Sequence, residues 1–298
     1  MKRNFISIGD INKKELLVIL NKADTLKKEI KKKGINSPVL NRKTLIMLFE
    51  KPSLRTKLSF AISMTQLGGN AVYMGPTEVG LGIREPVKDV AKVSGSMGDI
   101  VMARTFKHEN IVELAKYCPV PVINALDDFE HPCQTMADLM TIKEIKGHFD
   151  GLKIAYIGDC DNNVTRSLAM ASEMLGIHFI SAGPKGYQLN MEGKFIKQTT
   201  SPEIAVKDAD VVYTDTWVSM GAEEEKKKRL KIFPPYQVTP ALMKLAKRDA
   251  IFMHDLPAYR GNEVHADVID GPQSVIYQQA ENRLHAQKAI LLFLLNKM

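Results

Sequence analysis

The sequence predicts an α/β protein: two parallel-sheet α/β domains in succession, joined by a connecting helix. Three observations predict it. Strand-like apolar runs alternate with helical patterns through both halves of the chain, the mark of strand-helix-strand units. A single helical stretch separates the two series. The 298 residues, 45% of them hydrophobic, suit two cores of about 150 residues each better than one.

In the first half, T-L-I-M-L-F (Thr44 to Phe49), N-A-V-Y-M (Asn70 to Met74), D-I-V-M-A-R (Asp99 to Arg104) and V-P-V-I-N-A (Val120 to Ala125) read as strands. Gln134 to Ile145 has the spacing of one amphipathic helix and stops at Gly147, a plausible domain connector. In the second half, L-K-I-A-Y-I-G-D (Leu152 to Asp159), H-F-I-S-A-G (His178 to Gly183), A-D-V-V-Y-T-D (Ala209 to Asp215) and A-I-F-M-H (Ala250 to His254) read as strands again. After Gly271-Pro272, Gln279 to Lys297 closes the chain as a helix. There is no internal repeat and no low-complexity tract.

Composition narrows the functional classes. No run of eighteen apolar residues occurs and the N-terminus lacks a signal-peptide pattern, so a soluble, cytoplasmic protein that does not bind membranes is expected. Three widely spaced cysteines, Cys118, Cys133 and Cys160, fit neither a zinc nor a disulfide pattern. The net charge of +7 sits in local runs such as K-K-E-I-K-K-K, and only 7% of residues are aromatic; solvated helix faces explain this better than nucleic-acid binding. A basic chain also steers an anionic small substrate, provided it has a site.

In open parallel sheets the ligand lies beyond the carboxyl ends of the strands, so the residues after each run matter most. After Thr44 to Phe49 comes E-K-P-S-L-R-T-K-L-S-F. Free N–H groups at a helix start, the hydroxyls of Ser53 and Thr56 and the guanidinium of Arg55 form a cradle for phosphate. An ordinary N-cap by Ser53 is the competing reading. The stretch lacks the glycine spacing and lysine of a nucleotide-triphosphate loop. M-A-R-T-F puts Arg104 at another strand end, as a second cation for the anion or as a surface ion pair. In F-E-H-P-C-Q-T, His131 and Gln134 open the connecting helix. They could donate to a carbonyl oxygen and accept from an amide, or simply cap the turn.

In the second half, G-D-C-D-N-N-V-T-R-S-L lacks the second and third glycines of a dinucleotide fingerprint, so no nicotinamide cofactor is expected. Asn163 in it could be a helix cap. Asp215, in D-T-W-V-S-M-G, ends an apolar strand, where an unpaired carboxylate is costly and a substrate ammonium is a sensible partner. In M-H-D-L-P-A-Y-R-G, adjacent His254 and Asp255 point to opposite faces of a regular strand, so they do not form a self-contained dyad.

S-L-R-T-K, M-A-R-T-F and H-P-C-Q, in this order and spacing, resemble the transcarbamylase family, and D-T-W-V-S-M-G resembles its ornithine branch. The resemblance runs from about residue 4 to the C-terminus. It implies transfer of the carbamoyl group from carbamoyl phosphate to the δ-amine of L-ornithine, giving L-citrulline and phosphate in arginine metabolism. Phosphate is a good leaving group, so no metal and no cofactor is expected. The resemblance implies that Ser53, Leu54, Arg55, Thr56, Arg104 and, in A-E-N-R-L-H, Arg283 hold the phosphate, while His131 and Gln134 face the carbamoyl group. Asn163 would meet the amino-acid end of ornithine, with Asp215, Ser219 and Met220 on a loop that closes over it. Arg104, His131 and Thr56 would hold the oxygen of the tetrahedral intermediate. Residues 1–136 would bind carbamoyl phosphate, with a C-terminal helix of about residues 285–298 returning to pack on them, and residues 137–284 would bind ornithine. A homotrimer or a multiple of one is implied. Putrescine or acetylornithine as acceptor, or ligand binding with little catalysis, are the alternatives.

Three departures from the family pattern stand out. Gly80 occupies the place of a Gln or His that reaches carbamoyl phosphate in a neighbouring subunit, and Lys57 that of a second arginine. Asp255 replaces a cysteine beside the δ-amine, with Leu256 next to it in the carbamoyl-phosphate site. Two carboxylates, Asp215 and Asp255, would hold an ammonium firmly and oppose its deprotonation, unless one is pushed up in pKa and acts as base. A pH optimum different from that of Asp255→Cys is expected.

Overall fold

The computed structural model describes residues 2–218 and 223–298; the expected ornithine contacts Ser219 and Met220 lie outside the described residues. The chain divides into two compact units, Met1–Met140 with Glu281–Met298, and Thr141–Ala280.

The first unit holds a parallel sheet of order β2-β1-β3-β4, with β1 at Thr44–Phe49, β2 at Asn70–Met74, β3 at Ile100–Arg104 and β4 at Val122–Leu126. The inner strands are nearly unbroken apolar runs because helices cover both faces of such a sheet. Every residue of β3 is buried, whereas edge strand β2 stays half exposed. Leu48, Val101, Ala103, Ile111, Leu114 and Val122 form the heart of this core. In register, Phe49 of β1 stands beside Arg104 of β3, so the two loaded strand ends are neighbours. The C-terminal helix Ile276–Leu294 returns to this unit: Lys27 donates to Asn282 Oδ1 and Lys288 to Asn36 Oδ1, each at 2.6 Å.

The second unit holds a parallel sheet of order β7-β6-β5-β8-β9, with β5 at Lys153–Ile157, β6 at His178–Ala182, β7 at Ile196–Thr199, β8 at Val211–Thr214 and β9 at Ile251–Met253. Strand β7 was not foreseen. It reads I-K-Q-T, and only Ile196 is buried, so an edge strand of this length carries no apolar run to detect.

The connecting helix spans Pro132–Lys146 and ends at Gly147. Gly147 has φ +80°, and its N–H donates to Lys143 O at 2.9 Å, a left-handed C-terminal turn that glycine adopts without steric cost. The amphipathic spacing expected here has another cause. Residues 132–142 are all buried, and the polar positions among them serve an internal network, as where Gln134 donates to Asp138 at 2.9 Å.

Candidate active site

The residues expected to bind substrates fall into a phosphate-type set in the first unit and an ammonium-type set in the second. After β1 the chain turns at Pro52, and Ser53 starts the helix Leu54–Gln66. Its backbone is extended (φ −158°, ψ 119°) and its Oγ accepts from Thr56 N at 3.3 Å. The N-cap reading of Ser53 therefore holds, and it leaves the first-turn N–H groups aimed beyond the strand ends. Leu54 exposes 71% of its surface, so only its backbone N–H, and not its side chain, is placed with the helix start. Thr56 is fully buried, and its Oγ1 accepts from Arg283 Nη2 at 2.8 Å.

Arg283 is not a surface charge: it is buried, and its other terminal nitrogen, Nη1, donates to Gln134 Oε1 at 2.8 Å. One guanidinium from the C-terminal helix thus ties together the cradle helix and the connecting helix. Gln134 accepts from Arg283 through its carbonyl and donates to Asp138 through its amide, and a carbonyl oxygen with two lone pairs can accept from a substrate amide as well. Arg104 is buried at the end of β3, and so is His131. Burial, then the charges of Arg283, Arg104, Lys51 and Arg55, hold the His131 imidazole pKa well below its usual 6.5. A neutral ring ringed by cations can donate one hydrogen bond to a carbonyl oxygen without adding a charge.

Lys51 was missed in the sequence because a lysine between Glu50 and Pro52 looks like surface. It is buried, lies 5.0 Å from the Phe106 ring centroid, and burial with the Arg104 charge lowers its pKa to about 8. Lys57, in place of an arginine, is exposed and sits 3.6 Å from the ring centroid of Tyr73, a cation–π contact.

In the second unit the cap after β5 is Asn162, whose Oδ1 accepts from Thr165 N at 2.8 Å. The cap reading of Asn163 therefore fails, and Asn163 occupies the first helical position of Asn163–Leu175. Asp215 follows β8 and Asp255 follows β9; their carboxyl groups are neighbours. Asp215 Oδ1 also accepts from Thr216 N at 2.6 Å. Burial first, then the neighbouring Asp255 carboxyl group, push the Asp215 pKa well above 3.8.

His254 belongs to the scaffold. Its Nδ1 accepts from Leu256 N at 2.9 Å and its Nε2 contacts Glu263 Oε1 at 3.2 Å, while Tyr259 N also donates to Glu263. Leu256 sits in the left-handed region at φ +61°, a conformation costly for a leucine and held here by that bond to His254. Potential ligand atoms of Asp215, His254 and Asp255 lie within 4.8 Å of one another. Both imidazole nitrogens are already engaged, so the group is better suited to a proton than to a metal ion.

Comparison with known proteins identifies these two halves. Residues 3–144 match the family model described as the carbamoyl-P binding domain of aspartate/ornithine carbamoyltransferase, and residues 150–294 match its Asp/Orn binding domain. The ornithine carbamoyltransferase of Caldicellulosiruptor saccharolyticus is 48% identical over 303 residues, covering 98% of both chains. That of Archaeoglobus fulgidus is 46% identical, covering 99% of this chain and 98% of its own. The solved ornithine carbamoyltransferase of Pyrococcus furiosus superimposes with a TM-score of 0.94 at 45% identity, covering 100% of this chain and 98% of its own. The anabolic enzyme of Campylobacter jejuni does so with a TM-score of 0.93 at 40% identity, over 99% and 100% of the respective chains. The chain belongs to the aspartate/ornithine carbamoyltransferase family.

Proposed function

We propose that this protein is an ornithine carbamoyltransferase, transferring the carbamoyl group of carbamoyl phosphate to the δ-amine of L-ornithine to give L-citrulline and phosphate. The observation that carries the reading is the set of cations Arg283, Arg104, Lys51 and Arg55 acting on a neutral, buried His131. That is the electrostatics required by a dianionic phosphate attached to a carbonyl that must be polarised.

In this reading the N–H groups of Leu54, Arg55 and Thr56, the Ser53 hydroxyl, Arg104 and Arg283 hold the phosphate. His131 donates to the carbamoyl oxygen, Arg104 and Thr56 stabilise the oxyanion, and Gln134 positions Arg283. Asp255 and Leu256 complete the carbamoyl-phosphate contacts. Asn163 takes the amino-acid end of ornithine, and Asp215, Ser219 and Met220 take the rest of it. The anion docks first, because the cradle is basic. Ornithine follows into the second unit. An alkylammonium like that of lysine has a pKa of ~10.4, so about one molecule in 2,500 is reactive at pH 7 without assistance.

A homotrimer is part of the same proposal. Leu54, Leu58 and Ile62, at i, i+4 and i+8 on the cradle helix, expose 71%, 50% and 39% of their surface, an apolar stripe that a second copy of the chain would cover. Among the described residues no helix is long and apolar enough to cross a membrane; a cytoplasmic location is part of the same proposal.

Steady-state citrulline formation from ornithine and carbamoyl phosphate tests the reading. Turnover is expected, with putrescine and acetylornithine poorer acceptors in the same assay. Tight binding of both substrates without turnover would overturn it.

A further inference from the structure

We propose that Asp215 and Asp255 form a carboxylic acid–carboxylate pair sharing one proton, in which Asp215 keeps the proton and Asp255 accepts the one leaving the attacking amine. This deepens the ornithine carbamoyltransferase reading and rests on it.

Geometry divides the two roles. Oxygens of the two carboxyl groups lie within 4.8 Å of each other, close enough for Asp255 to raise the pKa of Asp215, and two carboxyl groups can bond directly only when one carries a proton. Asp215 is the more buried, and its Oδ1 is taken by Thr216 N at 2.6 Å. Asp255 keeps an outlet: its side chain retains 13% of its exposure, while its Oδ1 is buried and receives no hydrogen bond from a donor among the described residues. The nearest side-chain nitrogen, His254 Nδ1 at 3.5 Å, is no donor, because its lone pair already accepts from Leu256 N. A buried acceptor facing another acceptor is relieved by a proton held in the pair, and the more exposed Asp255 is the member that an ammonium can reach.

The other ionisable groups around the pair favour this assignment. Glu263 faces Asp215 and adds negative charge, with its Oε1 committed to His254 and Tyr259 N. Tyr156 on β5 is buried, and its pKa is raised by burial and then by the charges of Asp215 and Asp255, so it stays a neutral phenol. Among the described residues, the groups acting on Asp215 include no lysine or arginine, and proton sharing relieves the repulsion between the carboxyls.

The step balances. The ammonium gives one proton to Asp255, and the pair then holds two. The neutral amine forms the N–C bond to the carbamoyl carbon. The C–O bond to phosphate breaks, phosphate leaving with the electron pair and taking the second nitrogen proton. The pair afterwards returns its extra proton to solvent. Asp255 is thus the catalytic residue, and Asp215 a positioning residue that holds the shared proton.

Two measurements test this. In pH–rate profiles of the wild type and of Asp255→Asn, the variant is expected to lose about 10²–10⁴-fold in kcat with a much smaller change in the KM for carbamoyl phosphate. Asp255→Cys is expected to retain turnover with its acidic limb displaced toward higher pH, as a thiol requires. A wild type that forms citrulline beside an Asp255→Asn variant of equal kcat and identical profile overturns the pair and leaves the activity standing. Absence of citrulline from the wild type overturns the activity and the proton transfer with it. Independently of turnover, infrared difference spectra of the ligand-free protein at neutral pH are expected to show a protonated-carboxyl band that Asp215→Asn abolishes. If no such band exists, the shared proton does not.

Discussion

At the scale of single residues the site is governed by what burial does to charge, and the sign differs between the two units. Burial and the neighbouring carboxylate keep Asp215 neutral well above the usual 3.8. An unfolded chain loses that proton near 3.8 while the fold retains it. Stability from the neutral acid is therefore full below 3.8 and declines as pH rises toward the folded pKa. Asp215→Asn removes this titration, so denaturant midpoints are expected to show the variant more stable than the wild type at neutral pH, with the gap closing on acidification. A gap that widens toward pH 4 would contradict the assignment. In the first unit the relevant group is Lys51, with its pKa lowered to about 8 by burial and the Arg104 charge. Below about 8 it adds a positive charge to the proposed cradle, and above it that charge fades. Carbamoyl-phosphate affinity is expected to weaken as pH rises through about 8, and Lys51→Met to be weaker below that pH, flat across the range and level with the wild type above it. Equilibrium binding in the absence of ornithine checks this; a pH-independent wild type would remove Lys51 from the cradle.

Elements explain why one departure from the family pattern is not a simple loss. Gly80 follows the short helical turn Pro76–Val79 as its C-cap, at φ +49°, and a Cβ built there would meet Arg84 Cβ at 2.6 Å. The turn itself demands glycine, so restoring the family's glutamine does not restore a contact. Gly80→Gln is expected to cost about 1–2 kcal/mol in stability for the left-handed backbone, before any rearrangement of Arg84, and to leave the KM for carbamoyl phosphate no better. Unchanged thermal stability with a tighter KM would show that the turn can relax. The same scale shows what the sequence could convey. The inner strands were legible because burial on both faces leaves continuous apolar runs, as in I-V-M-A-R of β3. Strand β7 was not, because an edge strand with one buried residue satisfies its backbone without advertising it in composition. Cap assignments split along the same line: Ser53 was legible from its place before a helix, whereas Asn162 and Asn163 are adjacent and identical in type, and only hydrogen bonding tells the cap from its neighbour.

For the whole molecule, the parts of the site that the residues alone located are those set by strand ends, while those set by long-range pairing came from the family resemblance or, like Lys51, were missed. Arg283 reads as a surface helix charge until the C-terminal helix brings it to Thr56 and Gln134, 227 and 149 residues away in sequence. Lys51 and the Asp215–Asp255 pairing are of the same kind, since burial and proximity are properties of the fold. Assembly is the remaining level, and the cradle helix links it to the site. The helix whose first turn carries Ser53, Arg55 and Thr56 is the one that exposes Leu54, Leu58 and Ile62. Burying such side chains is worth about 1.5–3 kcal/mol each, repeated at every interface of a closed ring, so the stripe suffices to bias association. Leu58→Asp places a charge on it without touching a residue of the proposed cradle. Sedimentation velocity is expected to give three chains for the wild type and one for the variant, with circular dichroism unchanged and citrulline formation reduced. A wild type that sediments as a single chain at micromolar concentration and still turns over would separate the activity from assembly and leave the stripe without a role in it.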